Sequence, residues 1–156
     1  LVLHQQIPTE KAFSSPLVLR DRLGRDLDAA DIAAMEPEAL EAVFKEKPAL
    51  HRFPGSMAKR VQAVCEHIAE EYDGSVGKVW AGTISADAMM ERLLAIPGFG
   101  EYKARIYLGL LARRFSVRPA GWEEYLPTWP SIVDIESADD LAQLKVRKKA
   151  WKESQG

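Results

Sequence analysis

The residues best suited to chemistry form a short turn, Ile96-Pro97-Gly98-Phe99-Gly100, between two apolar helical runs. Pro97 lacks a backbone N–H and disfavours helix in the residue before it, so the first run is expected to end near Ile96. Gly98 and Gly100 can adopt positive φ, and without a Cβ they let a bulky group approach the backbone. Bare amides and the positive dipole end of the second helix then predict a site for an anion such as a DNA phosphate.

The elements that position this turn all carry helical periodicity, which predicts an all-α fold. Residues 1–6 are expected to end a buried helix, and a helix over 9–23 is expected to begin at an N-cap Thr9 and stop at Gly24. Asp28 and Pro37 start two further helices, and Ser56 is the expected N-cap of the clearest amphipathic helix. Ser85 caps the helix before the turn, and a final helix covers about 137–153.

Length and composition describe an ordinary globular chain. Its 156 residues, 47% hydrophobic and 28% charged, suffice for one domain with a core. No apolar run is long enough to cross a bilayer, and the first residues do not show a charged-then-apolar pattern. The single cysteine excludes an internal disulfide framework and a four-cysteine iron–sulfur cluster, and it indicates a reducing, cytoplasmic compartment. Because the chain opens with the apolar Leu1-Val2-Leu3, residues before it are expected to be missing.

The net charge of −2 conceals two basic clusters. The first follows the turn, has no acid among its members and comprises Lys103, Arg105, Arg113, Arg114 and Arg118. The second lies near the C-terminus and comprises Lys145, Arg147, Lys148, Lys149 and Lys152. Such clusters on a near-neutral chain indicate a local surface for a polyanion, although solvated helix faces explain the terminal cluster equally well.

The turn, followed by Ala104, resembles the helix-hairpin-helix motif. With the helices around it, the chain is similar to the helix-hairpin-helix DNA glycosylase superfamily (HhH-GPD), the endonuclease-III-like base-excision repair proteins. The resemblance covers about residues 1–118 and implies a helical glycosylase-like fold in one domain over 1–156. It implies a monomer, associated with the nucleoid, that removes a damaged or mismatched base from double-stranded DNA by base flipping. Many members carry an iron–sulfur cluster, but the single cysteine excludes it here, so no metal or cofactor is expected. The implied DNA-contacting residues are Gly98, Phe99, Gly100, Tyr102, Lys103 and Gln6, the last entering the gap left by the everted base.

The family's catalytic groups are missing from their usual places. A glycosylase stabilises a positive sugar carbon with a buried carboxylate, which the family carries in a loop after the second hairpin helix. Here that loop, residues 116–121, has no Asp. The bifunctional members' lysine position is Tyr102, and Lys103 is rotated by about 100° from it, so Lys103 is expected to reach a phosphate or solvent. The remaining carboxylate candidates are Asp134, Glu124 and Glu123, all of which are as readily explained as loop or surface residues.

Three interpretations follow from the sequence. The chain is a divergent monofunctional glycosylase that uses water and an unusually placed carboxylate, or it retains the phosphate-binding hairpin without chemistry and acts as a damage-sensing or architectural DNA-binding protein. In the third interpretation the hairpin serves only protein contacts. The five residues of the turn, taken alone, are equally well explained as a plain helix corner with a Pro-Gly break. The first two differ in whether a buried carboxylate lies beside a base-sized pocket.

Overall fold

The computed structural model describes residues 1–82 and 85–155. These residues are mostly helical and form no strand, which confirms the all-α class. The α-helices are α1 Thr9–Leu23, α2 Ala29–Ala33, α3 Pro37–Lys45, α4 Pro54–Tyr72, α5 Ala86–Ala95, α6 Glu101–Arg114 and α7 Ala138–Gln155. Three 3-10 turns, Val76–Val79, Trp122–Tyr125 and Ile132–Asp134, lie between them. Among the described residues no helix is both long and apolar enough to cross a membrane.

Contacts divide the chain into two compact units. The first comprises Leu1–Ala81 and Ala95–Gly98, and the second comprises Gly82–Leu94 and Phe99–Gly156. The division falls inside the turn that the sequence singles out, between Gly98 and Phe99. The single domain over 1–156 therefore stays a prediction, and each unit is described by itself.

In the first unit, α4 packs against α2 and α3. The core is made of apolar side chains from all four helices and their loops, among them Leu19, Ile32, Leu40, Phe44, Leu50, Met57 and Ala58. The buried Gln62 on α4 donates to the carbonyl of Met35 at 2.7 Å, which satisfies a backbone acceptor just beyond the end of α2. Arg22 joins α1 to the end of α3 by donating to the carbonyls of Val43 and Pro48, at 2.8 and 2.7 Å.

In the second unit, α6 is buried along much of its length. At Gly109 the helix packs so closely against Val133 that an added Cβ would lie 2.9 Å from Cγ1 of that residue. α7 adds the buried Leu144. The start of α5 is held by an amide–carbonyl bond of 2.8 Å from Ala86 to Ala120. These contacts hold α6 in place within the second unit and so determine where its N-terminus lies.

The helix ends confirm several predicted caps. Gly24 ends α1 at φ +65°, and the Asp28 carboxylate accepts from the amide of Asp31 at 3.0 Å. Pro37 is the first residue of α3. The hydroxyl of Ser85 accepts from the amide of Ala88 at 3.2 Å, the bond expected of the cap of α5. The hydroxyl of Ser137 likewise accepts from the third residue of α7, at 3.2 Å.

Three predicted helix ends are wrong. α4 begins at Pro54 with Phe53 as its N-cap, because proline is preorganised for the first helical position and takes precedence over Ser56. Pro8 is the N-cap of α1, and Thr9 is its first residue; the Thr9 hydroxyl lies 3.1 Å from Nε2 of His4 and caps no amide. Residues 1–6 form turns instead of a helix, and Gln6 lies at φ +55°, a conformation that a right-handed helix excludes.

Candidate nucleic-acid interface

The turn before α6 leaves open space beside its glycines. Gly98 adopts φ +75°, as predicted, whereas Gly100 is extended, with φ −93° and ψ 177°. A Cβ added at either residue would meet no atom within 4 Å. Internal packing therefore does not require glycine at position 100, and a ligand can approach the Gly100 backbone without steric conflict.

The N-terminus of α6 offers hydrogen-bond donors to that space. Gly100 is the N-cap and supplies no side-chain acceptor, and its carbonyl accepts from the amides of Lys103 and Ala104, both at 3.0 Å. Over the part of the chain that the structure describes, the preceding amides of Glu101 and Tyr102 have no acceptor. Two free N–H groups at the positive end of a 14-residue helix are suited to an anion.

Two charged side chains flank these amides. The carboxylate of Glu101 opposes an anion, but it is engaged by Nε of Arg105 at 2.8 Å, which partly neutralises it. The ammonium group of Lys103 lies 5.9 Å from the centre of the Phe99 ring. Phe99 in turn packs edge to face against Tyr107, with ring centres 6.1 Å apart. Phe99 thus acts as a packing residue, and Lys103 lies beside the turn as a cation.

A second feature of this unit is a cleft of about 340 Å³ next to the side chain of Tyr102. The ring of Tyr102 stacks on Trp129, with centres 5.1 Å apart and planes inclined by 13°. We call this space the aromatic–lysine cleft, and its lining residues are Tyr102, Trp129, Pro130, Lys148, Trp151 and Lys152. Nε1 of Trp129 is buried and has no hydrogen-bond partner among the described residues.

The electrostatics of the aromatic–lysine cleft favour an anion. Lys148 and Lys152 stand one helical turn apart on α7, where like charges repel. Neither ammonium group is ion-paired within residues 1–82 and 85–155. Burial lowers the pKa of Lys148, and the charge of Lys152 lowers it further. Two cations without acidic partners line the same walls as three aromatic rings.

The carboxylate candidates occupy structural or exposed positions. Asp134 ends a 3-10 turn, where one oxygen accepts from the amide of Ser131 at 2.9 Å and the other lies 3.3 Å from Arg113. The bond to Ser131 and the bond from the amide of Val133 to the Ser131 hydroxyl, at 3.2 Å, form a capping box. The box and the ion pair with Arg113 account for Asp134 without catalysis. Glu123 and Glu124 lie in the Trp122–Tyr125 turn and are exposed. None of the three has the buried environment that a carboxylate in base removal needs.

Gln6 belongs to the first unit and lines a polar cleft of about 200 Å³ there. Its side chain is exposed, whereas Gln5 is anchored, with its amide oxygen accepting from Arg60 at 2.7 Å. The buried His51 holds this segment, because its Nε2 donates to the carbonyl of Gln5 at 2.7 Å and its Nδ1 accepts from the amide of Phe53 at 3.0 Å.

Neither a metal site in the described residues nor a similar known protein was found. Across the described ranges, no group of three or more histidine, cysteine, aspartate or glutamate side chains is arranged to hold a metal ion. Comparisons of the chain with models of protein families, with curated proteins and with solved structures find no match.

Sequence reasoning located the turn but missed the aromatic–lysine cleft. Trp129 gave no signal, because it lies in an irregular segment. The other missed residues do share a signal: Lys148, Trp151 and Lys152 follow the spacing of one helix face. Lys145 and Lys149 have the same i, i+4 spacing and line no part of the cleft, so spacing alone does not select the pair that does.

Proposed function

We propose that this chain binds DNA by holding a backbone phosphate at the N-terminus of α6. The observation that supports the proposal is the open Gly100 N-cap, which leaves the amides of Glu101 and Tyr102 unpaired beside free space. Hydrogen bonds from such amides to an ionised oxygen are charge-assisted and contribute about 1.5–3 kcal/mol each. Lys103 supplies a positive charge next to them.

Base removal is a separate proposal that rests on the resemblance to DNA glycosylases. It requires a carboxylate close to the sugar of an everted nucleotide. Asp134 is engaged by its capping box, and Glu123 and Glu124 are exposed, so no observation favours this activity over binding alone. We therefore propose the damage-sensing or architectural role first, with the phosphate site as its physical basis.

Equilibrium binding to duplex DNA tests both proposals together. A fluorescent duplex that contains an abasic-site analogue is compared with the same undamaged duplex at two salt concentrations. Equal, salt-dependent binding to both supports a protein that recognises phosphates. A clear preference for the abasic duplex supports a base-flipping site and a screen of damaged bases. Absence of binding at low salt refutes the phosphate site.

A matched pair of α6 variants assigns the binding to the turn. Lys103→Gln removes a charge beside the amides, whereas Arg114→Gln removes a charge about 16 Å further along the same helix. Both changes reduce the net charge of the chain by one. We expect Lys103→Gln to weaken duplex binding about tenfold and to reduce the salt slope by about 1, with little effect of Arg114→Gln. Equal effects would mean that only overall charge matters.

A further inference from the structure

The aromatic–lysine cleft has the chemistry of a nucleotide site. Three aromatic side chains, Tyr102, Trp129 and Trp151, offer ring faces or edges, and the first two are already stacked on each other. Tyr102 and Trp151 are 52% and 37% exposed, so their rings are accessible to a ligand. Nucleobases stack on such rings whatever their sequence, because every base has a π face.

The two lysines favour a ligand that carries a negative charge in addition to an aromatic ring. Lys148 and Lys152 lie on the same face of α7 and have no acidic partner among the described residues. An apolar ligand would leave these two ammonium groups uncompensated, and a simple anion would not use the aromatic wall. A duplex cannot fill the cleft, since the faces of its paired bases are covered by their neighbours. An unpaired nucleotide has both a base that can stack on the aromatic side chains and a phosphate that can pair with the lysines.

We propose that the aromatic–lysine cleft binds a nucleotide, with the base against the aromatic wall and the phosphate at Lys148 and Lys152. The proposal deepens the proposed function and rests on it, because it adds an unpaired nucleotide to the DNA that the N-terminus of α6 holds. Tyr102 links the two sites: its amide is one of the free donors of α6, and its side chain lines the cleft. A strand bound at the amides therefore passes close to the cleft.

The test compares a blunt duplex with the same duplex carrying a single-stranded thymidine tail. The full chain is titrated into each labelled DNA at low salt, and thymidine monophosphate is added as a free nucleotide in a third titration. We expect the tailed duplex to bind about tenfold more tightly than the blunt duplex, the size of effect that one stacked base produces.

Matched double variants identify the site. Lys148→Gln/Lys152→Gln removes the two lysines of the cleft, and Lys145→Gln/Lys149→Gln removes two with the same spacing outside it. The first pair is expected to abolish the tail preference, and the second pair to retain it. Trp151→Ala, a change at a partly exposed residue, is expected to reduce the preference without loss of helical circular dichroism.

The outcomes separate this inference from the proposed function. Blunt-duplex binding without any tail preference overturns the cleft and leaves the phosphate site intact. A tail preference that both lysine pairs lose equally also overturns it, because general charge then explains the effect. Binding of thymidine monophosphate that only the cleft variants lose, without duplex binding, supports a nucleotide cleft for free nucleotides and overturns the DNA-binding function.

Discussion

Replacing Gly100 with aspartate is expected to raise the free energy of unfolding while it lowers the affinity for DNA. Gly100 is the N-cap of α6, and its φ of −93° and ψ of 177° fall in the extended region that N-cap residues with side chains adopt. A Cβ there meets no atom within 4 Å, so the substitution introduces no steric strain. Aspartate at this position can accept a hydrogen bond from a free amide of the first turn.

Three contributions determine the gain in stability. An aspartate cap is better than glycine by a few tenths of a kcal/mol. Loss of glycine's freedom in the unfolded chain adds about 0.4–1 kcal/mol, and a negative charge at the helix N-terminus adds about 0.3–1 kcal/mol. Repulsion from Glu101 reduces the sum, although Arg105 already engages that carboxylate. We expect the free energy of unfolding to rise by about 1 kcal/mol.

The same carboxylate occupies the amides that the phosphate would use. Loss of one charge-assisted contact, about 1.5–3 kcal/mol, corresponds to a decrease in duplex affinity of about tenfold or more. Urea unfolding at constant m-value measures the stability, and fluorescence anisotropy at low salt measures the affinity. Gly100→Asn is the control, because asparagine caps the helix without adding charge. A stabilised Gly100→Asp variant with unchanged affinity would refute the phosphate site.

Three further predictions concern stability. Gly109→Ala is expected to cost about 1–3 kcal/mol, because the new Cβ would lie 2.9 Å from Val133, and an unchanged urea midpoint would contradict this packing. Asp134→Ala removes an ion pair and a capping-box acceptor, so we expect a loss of about 1 kcal/mol in urea unfolding and no effect on any base release from damaged DNA. Hydrogen bonding, first from Arg147, lowers the pKa of Asp140 from 3.8 to about 2, so its stabilisation is complete above pH 3.8 and lost as the pH falls through about 2. Urea unfolding of Asp140→Asn and the unchanged chain should therefore differ at neutral pH and converge near pH 2.

Much of the fold could be predicted from the sequence, because local chemistry determines it. Gly24, Asp28 and Pro37 end or begin helices through their own backbone preferences, which act in any context. The predictions that were wrong concern places where two local sequence preferences compete. Pro54 begins α4 two residues before the serine that the sequence favours, and the turn-forming Gln6 lies in a segment whose apolar residues suggested a helix.

In the candidate site, too, the parts set by a few neighbouring residues could be predicted and the parts that join distant residues could not. The open turn at Gly98 and Gly100 follows from a sequence of a few residues, so it was predictable. The stack of Tyr102 on Trp129 was not, because it joins residues that are distant in sequence and one of them lies in an irregular loop. Which residues of α7 line the cleft depends on how that helix is rotated about its axis. The sequence does not show this, because the basic face of α7 is nearly uniform and nothing in it distinguishes Lys148 from Lys149.

The pairing of cations limits how this chain can bind a polyanion. Three arginines near the proposed sites are held by carboxylates of the same unit, namely Arg105, Arg113 and Arg147. An arginine that already has an acidic partner gains less from a phosphate than Lys148 and Lys152 do, because these two lysines have no acidic partner among the described residues. Since each phosphate contact contributes about one unit of salt dependence, binding through a few cations would depend on salt only moderately. The backbone amides of Glu101 and Tyr102 would then supply a large share of the affinity, which would allow a chain with a net charge of −2 to hold DNA.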